Sequence, residues 1–256
     1  MNLNTNNTGT IDLQIENAVA TISFSHPASN SFPSNLLEKL TQTFDKVSEL
    51  DNVSVIILQS EGEKTFCAGA SFDELLKIDN LKDGTRFFSG FANVINAMRK
   101  CKKLIIGRVQ GKAVGGGVGL ISACDYVFAM DSASVKLSEI AIGIGPFVIE
   151  PVVSRKIGKM ATSQLTLTPD FWKTAAWAFE KGLYSEIFSS ITDLDSSLQT
   201  FEQKLTTYNP KALLEIKKVF WENTEHWDIL LEERAKISGE LVLSDFTKEA
   251  IQLLKK

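Results

Sequence analysis

Apolar and polar residues alternate along Ile11–Glu16 and again along Ala18–Phe24, on either side of Asn17. Such alternation predicts two half-buried strands joined as a hairpin. From Ser34 the period changes: Leu36, Leu37, Leu40, Phe44, Val47 and Leu50 recur at helical spacing over Ser34–Leu50, with Ser34 a candidate N-cap. Val53–Leu58 is a short β-branched run and predicts a buried strand. A second long helix is expected over Thr85–Cys101, where Phe87, Phe88, Phe91, Val94, Ile95 and Met98 share one face. The apolar run Leu104–Val109 predicts another buried strand. A glycine turn, a short helix over Val118–Cys124 and a strand at Tyr126–Ala129 follow it. This alternation of strand and helix argues for an α/β core.

Beyond Pro146 the periodicity is helical only, over Phe147–Ile157, Pro169–Glu180, Ser196–Leu205, Pro210–Trp221 and Glu225–Val242. Gly158, Gly182 and the Asn209-Pro210 pair punctuate it. The pattern therefore places the α/β core up to about residue 160, with a helical part after it. Phe220, Trp221, Trp227, Leu230 and Leu231 are candidates for the core of that part or for a subunit contact. No low-complexity linker or internal repeat divides the chain.

Composition changes this picture little. With 256 residues, 44% of them apolar and 23% charged, the chain has the make-up of a soluble globular protein. A net charge of −4 argues against a nucleic-acid partner, which needs clustered excess Lys and Arg. Cys67, Cys101 and Cys124 lie far apart, and His26 and His226 are the only histidines, so no metal site is expected. Met1–Thr10 has neither a basic n-region nor an apolar core, and no apolar run reaches membrane-spanning length. No membrane partner is expected, and a cytoplasmic protein is the default expectation.

Two small-residue turns could carry chemistry. Gly115-Gly116-Gly117 stands between a predicted strand and a predicted helix, where backbone amides can approach a ligand closely. Phe66-Cys67-Ala68-Gly69-Ala70 lies past the Val53–Leu58 strand and opens a short helix over Ser71–Ile78. Two such turns on neighbouring strands could aim two amides at one point, the arrangement that stabilises an enolate or a tetrahedral oxyanion. From these residues alone, two unrelated tight turns are the alternative, and Glu139 is as simply a surface or capping carboxylate. There is no GxGxxG opening a first βαβ unit and no Gly-Lys-Ser/Thr after the glycines, which argues against a dinucleotide or nucleoside triphosphate site.

Taken together, Phe66–Ala70, Gly111–Gly117, Ala123-Cys124-Asp125 and Leu137-Ser138-Glu139 resemble the crotonase (enoyl-CoA hydratase/isomerase) superfamily. Pro27-Ala28-Ser29-Asn30 and the stretch from Thr168 through Gly182-Leu183 add to the likeness, which runs from about residue 11 to at least residue 185. The resemblance implies an α/β fold with a crotonase-like ββα spiral core over residues 1–195. A helical C-terminal trimerisation part would follow over residues 196–256, in a homotrimer or homohexamer. It implies an acyl-CoA thioester substrate and no separate cofactor, since coenzyme A is part of the substrate. The Ala70 and Gly116 amides would grip the thioester carbonyl as it becomes an enolate, and Glu139 would be the acid/base. Phe66, Ala68, Ala70, Ser71 and Gly116 would hold the substrate and its CoA, largely through the main chain.

The chain also departs from that pattern. Two-glutamate hydratases carry a second Glu where Gly119 stands here, and Ser71 replaces the Asp that often follows the oxyanion-hole alanine. Pro146-Phe147-Val148-Ile149-Glu150 replaces a Pro-Gly-x-Gly-Gly segment, leaving Glu150, Asp73 and Glu74 as candidates for a displaced second acid. A single carboxylate suits a Δ3,Δ2-enoyl-CoA isomerase, which the run Gly143–Phe147 resembles. Gly115–Ile121 with Leu137–Glu139 is similar instead to single-glutamate hydratases, including the methylglutaconyl-CoA hydratase type. The hydratase likeness covers more of the surrounding sequence, so an enoyl-CoA hydratase is expected. An isomerase and a non-catalytic acyl-CoA binder are the alternatives. Lys103, Arg108, Lys112 and Arg155 are candidate partners for CoA phosphates or a substrate carboxylate.

Overall fold

In the computed structural model, which describes residues 9–253, the two alternating segments pair as an antiparallel hairpin, β1 (Thr10–Glu16) and β2 (Val19–Ser25). Asn17 and Ala18 form its two-residue turn at φ 50° and 64°, the left-handed values that suit the twist of a tight hairpin. Residues 1–8 of the polar N-terminal stretch, expected not to be a signal peptide, lie outside the described residues.

The periodic helix at Ser34 is α1 (Ser34–Ser48), but Pro33 occupies the N-cap position. Ser34 instead donates its backbone N–H (2.9 Å) and its hydroxyl (2.6 Å) to the Glu74 carboxylate, so its oxygen serves a tertiary contact and caps nothing.

Next comes a unit repeated three times: a strand of the main sheet, a short strand of a second sheet, then helix. The first unit is β3 (Val55–Ser60), β4 (Thr65–Cys67), α2 (Phe72–Leu75) and α3 (Leu81–Lys100). The second is β5 (Leu104–Val109), β6 (Lys112–Val114) and α4 (Gly116–Ala123). The third is β7 (Tyr126–Met130), β8 (Val135–Lys136), a 3₁₀ turn at Glu139–Ile142 and α5 (Glu150–Leu167). The spiral of β–β–α units leaves β3, β5 and β7 parallel in one sheet and β4, β6 and β8 parallel in the other. α3 starts earlier than its apolar stripe, because the Asn80 side chain caps it by accepting from Asp83 N–H.

The all-helical reading past Pro146 needs correction. Between α6 (Ala175–Glu180) and α7 (Ile191–Thr206), the segment Glu186–Phe188 forms β9, which pairs parallel with β7 as the sixth strand of the main sheet. Residues 169–174 are not helical, and Lys173 bridges to Val135. α5 is interrupted at Gly158, where φ is 78°. α8 (Pro210–Phe220), α9 (Trp227–Leu241) and α10 (Asp245–Leu253) are the last of the described elements.

The boundary expected at residues 195/196 falls within α7, whose Leu194, Leu198 and Leu205 pack on Val55, Ile57, Leu104, Ile106 and Phe128 of the main sheet. α8 is tied to the core by charge. Lys217, 2% exposed, donates to Asp125 Oδ2 (2.9 Å) and to the Lys103 carbonyl (2.7 Å), and Trp221 Nε1 donates to Asp125 Oδ1 (3.0 Å). α9 crosses α3 where Gly84 meets Gly239. Trp221, Trp227 and Leu231 join the main core, whereas Phe220 stays exposed. Among the described residues no helix is long and apolar enough to cross a membrane, and no cluster of His, Cys, Asp and Glu could hold a metal ion.

Candidate active site

Three segments leave the C-terminal ends of β4, β6 and β8, which lie side by side. They are Ala68-Gly69-Ala70, Gly115-Gly116 and Ser138-Glu139. The reading that the two glycine turns leave the long strands Val53–Leu58 and Leu104–Val109 is thereby corrected: each leaves a short strand of the second sheet. Together they line one side of a cavity of about 150 Å³. The rest of its wall is mostly apolar, with Leu75, Phe87, Phe91, Ile144, Val148 and Ile149 among its side chains.

The peptide at Ala70 is held by a bridge to Phe32: Phe32 N–H donates to the Gly69 carbonyl (2.8 Å) and Ser71 N–H to the Phe32 carbonyl (2.9 Å). The Ala70 N–H itself has no acceptor among the described residues. Gly116 is the first residue of α4, where the helix offers no acceptor, and its N–H is likewise free among the described residues. The two turns abut, since a Cβ at Gly69 would lie 3.4 Å from the Gly116 nitrogen. Two N–H groups without acceptors among the described residues thus belong to adjoining segments of the cavity wall, one of them at the N-terminus of α4.

Gly115 has φ 54°, a conformation that favours glycine, and a Cβ there would stand 2.6 Å from Glu139 Oε1. The bare glycine lets the carboxyl lie against the backbone of the turn. Glu139 keeps some exposed surface as a residue, but its Oε2 is out of solvent and has no hydrogen-bond partner. Burial raises the Glu139 carboxyl to about 7, opposed only in part by the N–H groups of Glu139 and Ser138. Near neutral pH such a group can take up or give back a proton.

Glu139 is the only Asp or Glu in the cavity wall among the described residues. At Gly119 a Cβ would come within 2.6 Å of Ile149 Cγ2, so isoleucine fills the space that a side chain there would need. None of the proposed substitutes reaches the cavity. Glu74 accepts from Ser34, Glu150 accepts from Ser154 Oγ (2.6 Å), and Asp73 is exposed.

The structure therefore gathers Ala68, Ala70, Gly116 and Glu139 around one space. It leaves Phe66 and Ser71 outside the wall. The Phe66 ring is buried edge-on to Phe24, with centroids 5.2 Å apart, and the Ser71 hydroxyl caps α2 by accepting from Glu74 N–H (3.4 Å). Nor do the candidate cations line it: Arg108 pairs with Asp195, and Arg155 lies 4.0 Å over the Trp221 ring.

No motif in the sequence marks the apolar wall or Ser238, which reaches the cavity from α9. A signal for Ser238 exists, because it shares the buried stripe of Leu231, Ala235 and Val242 at helical spacing.

Comparison with known proteins matches residues 14–252 to the family model described as enoyl-CoA hydratase/isomerase. The chain is 25% identical over 244 residues to a probable enoyl-CoA hydratase of Bacillus subtilis, covering 94% of each. It is 27% identical over 231 residues to a peroxisomal Δ(3,5)-Δ(2,4)-dienoyl-CoA isomerase of Arabidopsis thaliana, covering 82% of this chain and 81% of that one. Among solved structures, an enoyl-CoA hydratase from Bacillus halodurans superposes with a TM-score of 0.87 at 20% identity, over 95% of this chain and 99% of the other. That likeness is one of fold.

Proposed function

Because this chain belongs to the enoyl-CoA hydratase/isomerase family, we propose that it is a one-glutamate hydratase of short 2-enoyl-CoA thioesters. The observation that carries the reading is the Glu139 carboxyl, the sole acid among the described residues of a cavity also lined by Ala70 and Gly116, whose amides have no acceptor among them. The thioester oxygen accepts from both amides, which draws electron density away from Cβ. Glu139 takes a proton from water as the water oxygen bonds to Cβ, and the negative charge settles on the thioester oxygen as an enolate. Glu139 then returns the proton to Cα, giving a 3-hydroxyacyl-CoA. Preset amides suit this charge because they need no reorganisation as it develops.

The size and lining of the cavity bear on the substrate. A space of about 150 Å³ takes a group of about six carbons. No Lys or Arg lines it among the described residues, which favours an uncharged acyl chain over the free carboxylate of a methylglutaconyl group. Assembly as a homotrimer or homohexamer is part of the same proposal. It agrees with large apolar side chains left at the surface, such as Phe171, Phe179 and Phe246, and sedimentation tests it.

A second reading, a Δ3,Δ2-enoyl-CoA isomerase, is favoured by the isoleucine packed on Gly119, which leaves no second acid to hold water. Glu139 would then move a proton from Cα to Cγ. Turnover of crotonyl-CoA, 3-methylglutaconyl-CoA and 3-hexenoyl-CoA separates the two, with Glu139→Gln as control. Loss of the 2-enoyl absorbance, abolished by the substitution, is expected. Formation of 2-enoyl product from 3-hexenoyl-CoA alone would replace the hydratase by the isomerase.

A further inference from the structure

Ser238 is 1% exposed and lines the cavity that holds Glu139. A serine inside a helix ordinarily turns to solvent or donates back to the carbonyl four residues earlier. Ser238 makes no such back-bond. Its oxygen is not sealed off from the cavity, and its hydroxyl has no hydrogen-bond partner within the chain among the described residues. The other buried hydroxyls all have one. Ser122 donates to the Val118 carbonyl (2.8 Å), Thr224 to the Trp221 carbonyl (2.6 Å), and Ser60 accepts from Gln110 (2.8 Å). With no partner inside the chain among the described residues, the Ser238 hydroxyl is left to bond whatever occupies the cavity, water or a ligand oxygen.

Its position is also fixed. A Cβ on Gly84 would lie 2.9 Å from the Gly239 carbonyl oxygen, and one on Gly239 would lie 2.7 Å from Thr85 N. α3 and α9 thus touch backbone to backbone one residue from Ser238, which brings its short side chain to the cavity wall. Of the wall's side chains among the described residues, those of Ser138, Glu139 and Ser238 alone are polar.

We propose that the Ser238 hydroxyl is a substrate-binding group that hydrogen-bonds an oxygen carried by the acyl chain, at Cβ or farther along it. It thereby sets a preference for oxygenated over plain hydrocarbon acyl groups. The proposal rests on the reading that the cavity takes an acyl-CoA thioester, but not on the direction or rate of any reaction.

Binding of butyryl-CoA, 3-hydroxybutyryl-CoA and 4-hydroxybutyryl-CoA by calorimetry tests it, using the wild type, Ser238→Ala and Ser238→Thr. In Ser238→Ala, affinity for one hydroxylated ester should fall about tenfold, with butyryl-CoA binding held within about twofold and Ser238→Thr close to wild type. A loss confined to the 3-hydroxy ester places the oxygen at Cβ, and a loss confined to the 4-hydroxy ester places it beyond. Equal changes for all three esters, or no change, overturn the proposal while leaving the acyl-CoA reading intact. A wild type that binds none of the esters overturns both.

Discussion

Gly119 and Ile149 are packed so closely that a Cβ on the glycine would stand 2.6 Å from Ile149 Cγ2 and 3.0 Å from its Cβ. The contact joins the first turns of α4 and the approach to α5, and Ile149 fills the space that a side chain at position 119 would need. Gly119→Glu is therefore expected to destabilise the protein by about 1–3 kcal/mol through overpacking, lowering the melting temperature without raising hydration. Gly119→Glu with Ile149→Ala makes room and should recover much of that stability. A stable, faster single variant would contradict the packing described.

The pH dependence of stability follows from Glu139. Its carboxyl is raised from 4.5 to about 7 by burial, so between those values the folded chain keeps a proton that the unfolded chain releases. This contribution to stability is full below about 4.5 and is lost as pH rises through about 7. The melting temperature should accordingly fall over that window, and Glu139→Gln should lack this component.

Activity should run the other way. As the base of the proposed hydration Glu139 would have to be ionised to accept a proton, so kcat/KM is expected to rise toward a plateau above about pH 7. Glu139→Gln should cost on the order of 10²–10⁴ in kcat while CoA esters still bind. An unchanged pH profile in an active Glu139→Gln variant would remove Glu139 from the chemistry.

At Gly116 an added Cβ would overlap the Phe91 ring, so Gly116→Ala must displace either the ring or the amide. Displacing the amide removes a donor from the enolate, and kcat should fall about 10²-fold with a smaller effect on KM. Combining Gly116→Ala with Phe91→Leu should restore part of the rate, which steady-state kinetics would show.

Lys217 and Asp125 form a buried ion pair at 2.9 Å, with side chains 2% and 4% exposed. Lys217→Met removes the direct partner of the Asp125 carboxylate, leaving only the more distant Arg155 and Lys156, an expected loss of up to about 3–5 kcal/mol in urea unfolding. The exposed pair Lys218–Glu215 provides the control, since Lys218→Met should cost less than about 1 kcal/mol.

Periodicity exposed the long elements because their side chains repeat a choice of face many times. The hairpin around Asn17, the α3 stripe of Phe87, Phe91, Val94 and Met98, and the Leu104–Val109 run are all legible in this way. β4, β6, β8 and β9 span two or three residues each, too few for any period to register. The capping role expected of Ser34 was lost to a carboxylate forty positions away, Glu74, which no local pattern announces.

Two small-residue turns and a nearby acid are legible in the order of residues, because glycine and alanine leave amides bare whatever surrounds them. Their order and spacing also point to the family of folds that could use them. That Ala70, Gly116 and Glu139 meet at one apolar cavity, that Ile149 shuts the place beside Gly119, and that Ser238 enters from α9 follow from the folded chain instead. Side-chain period and backbone freedom are local properties. Convergence depends on three successive crossovers of the chain and on a helix contact between Gly84 and Gly239, more than one hundred and fifty residues apart.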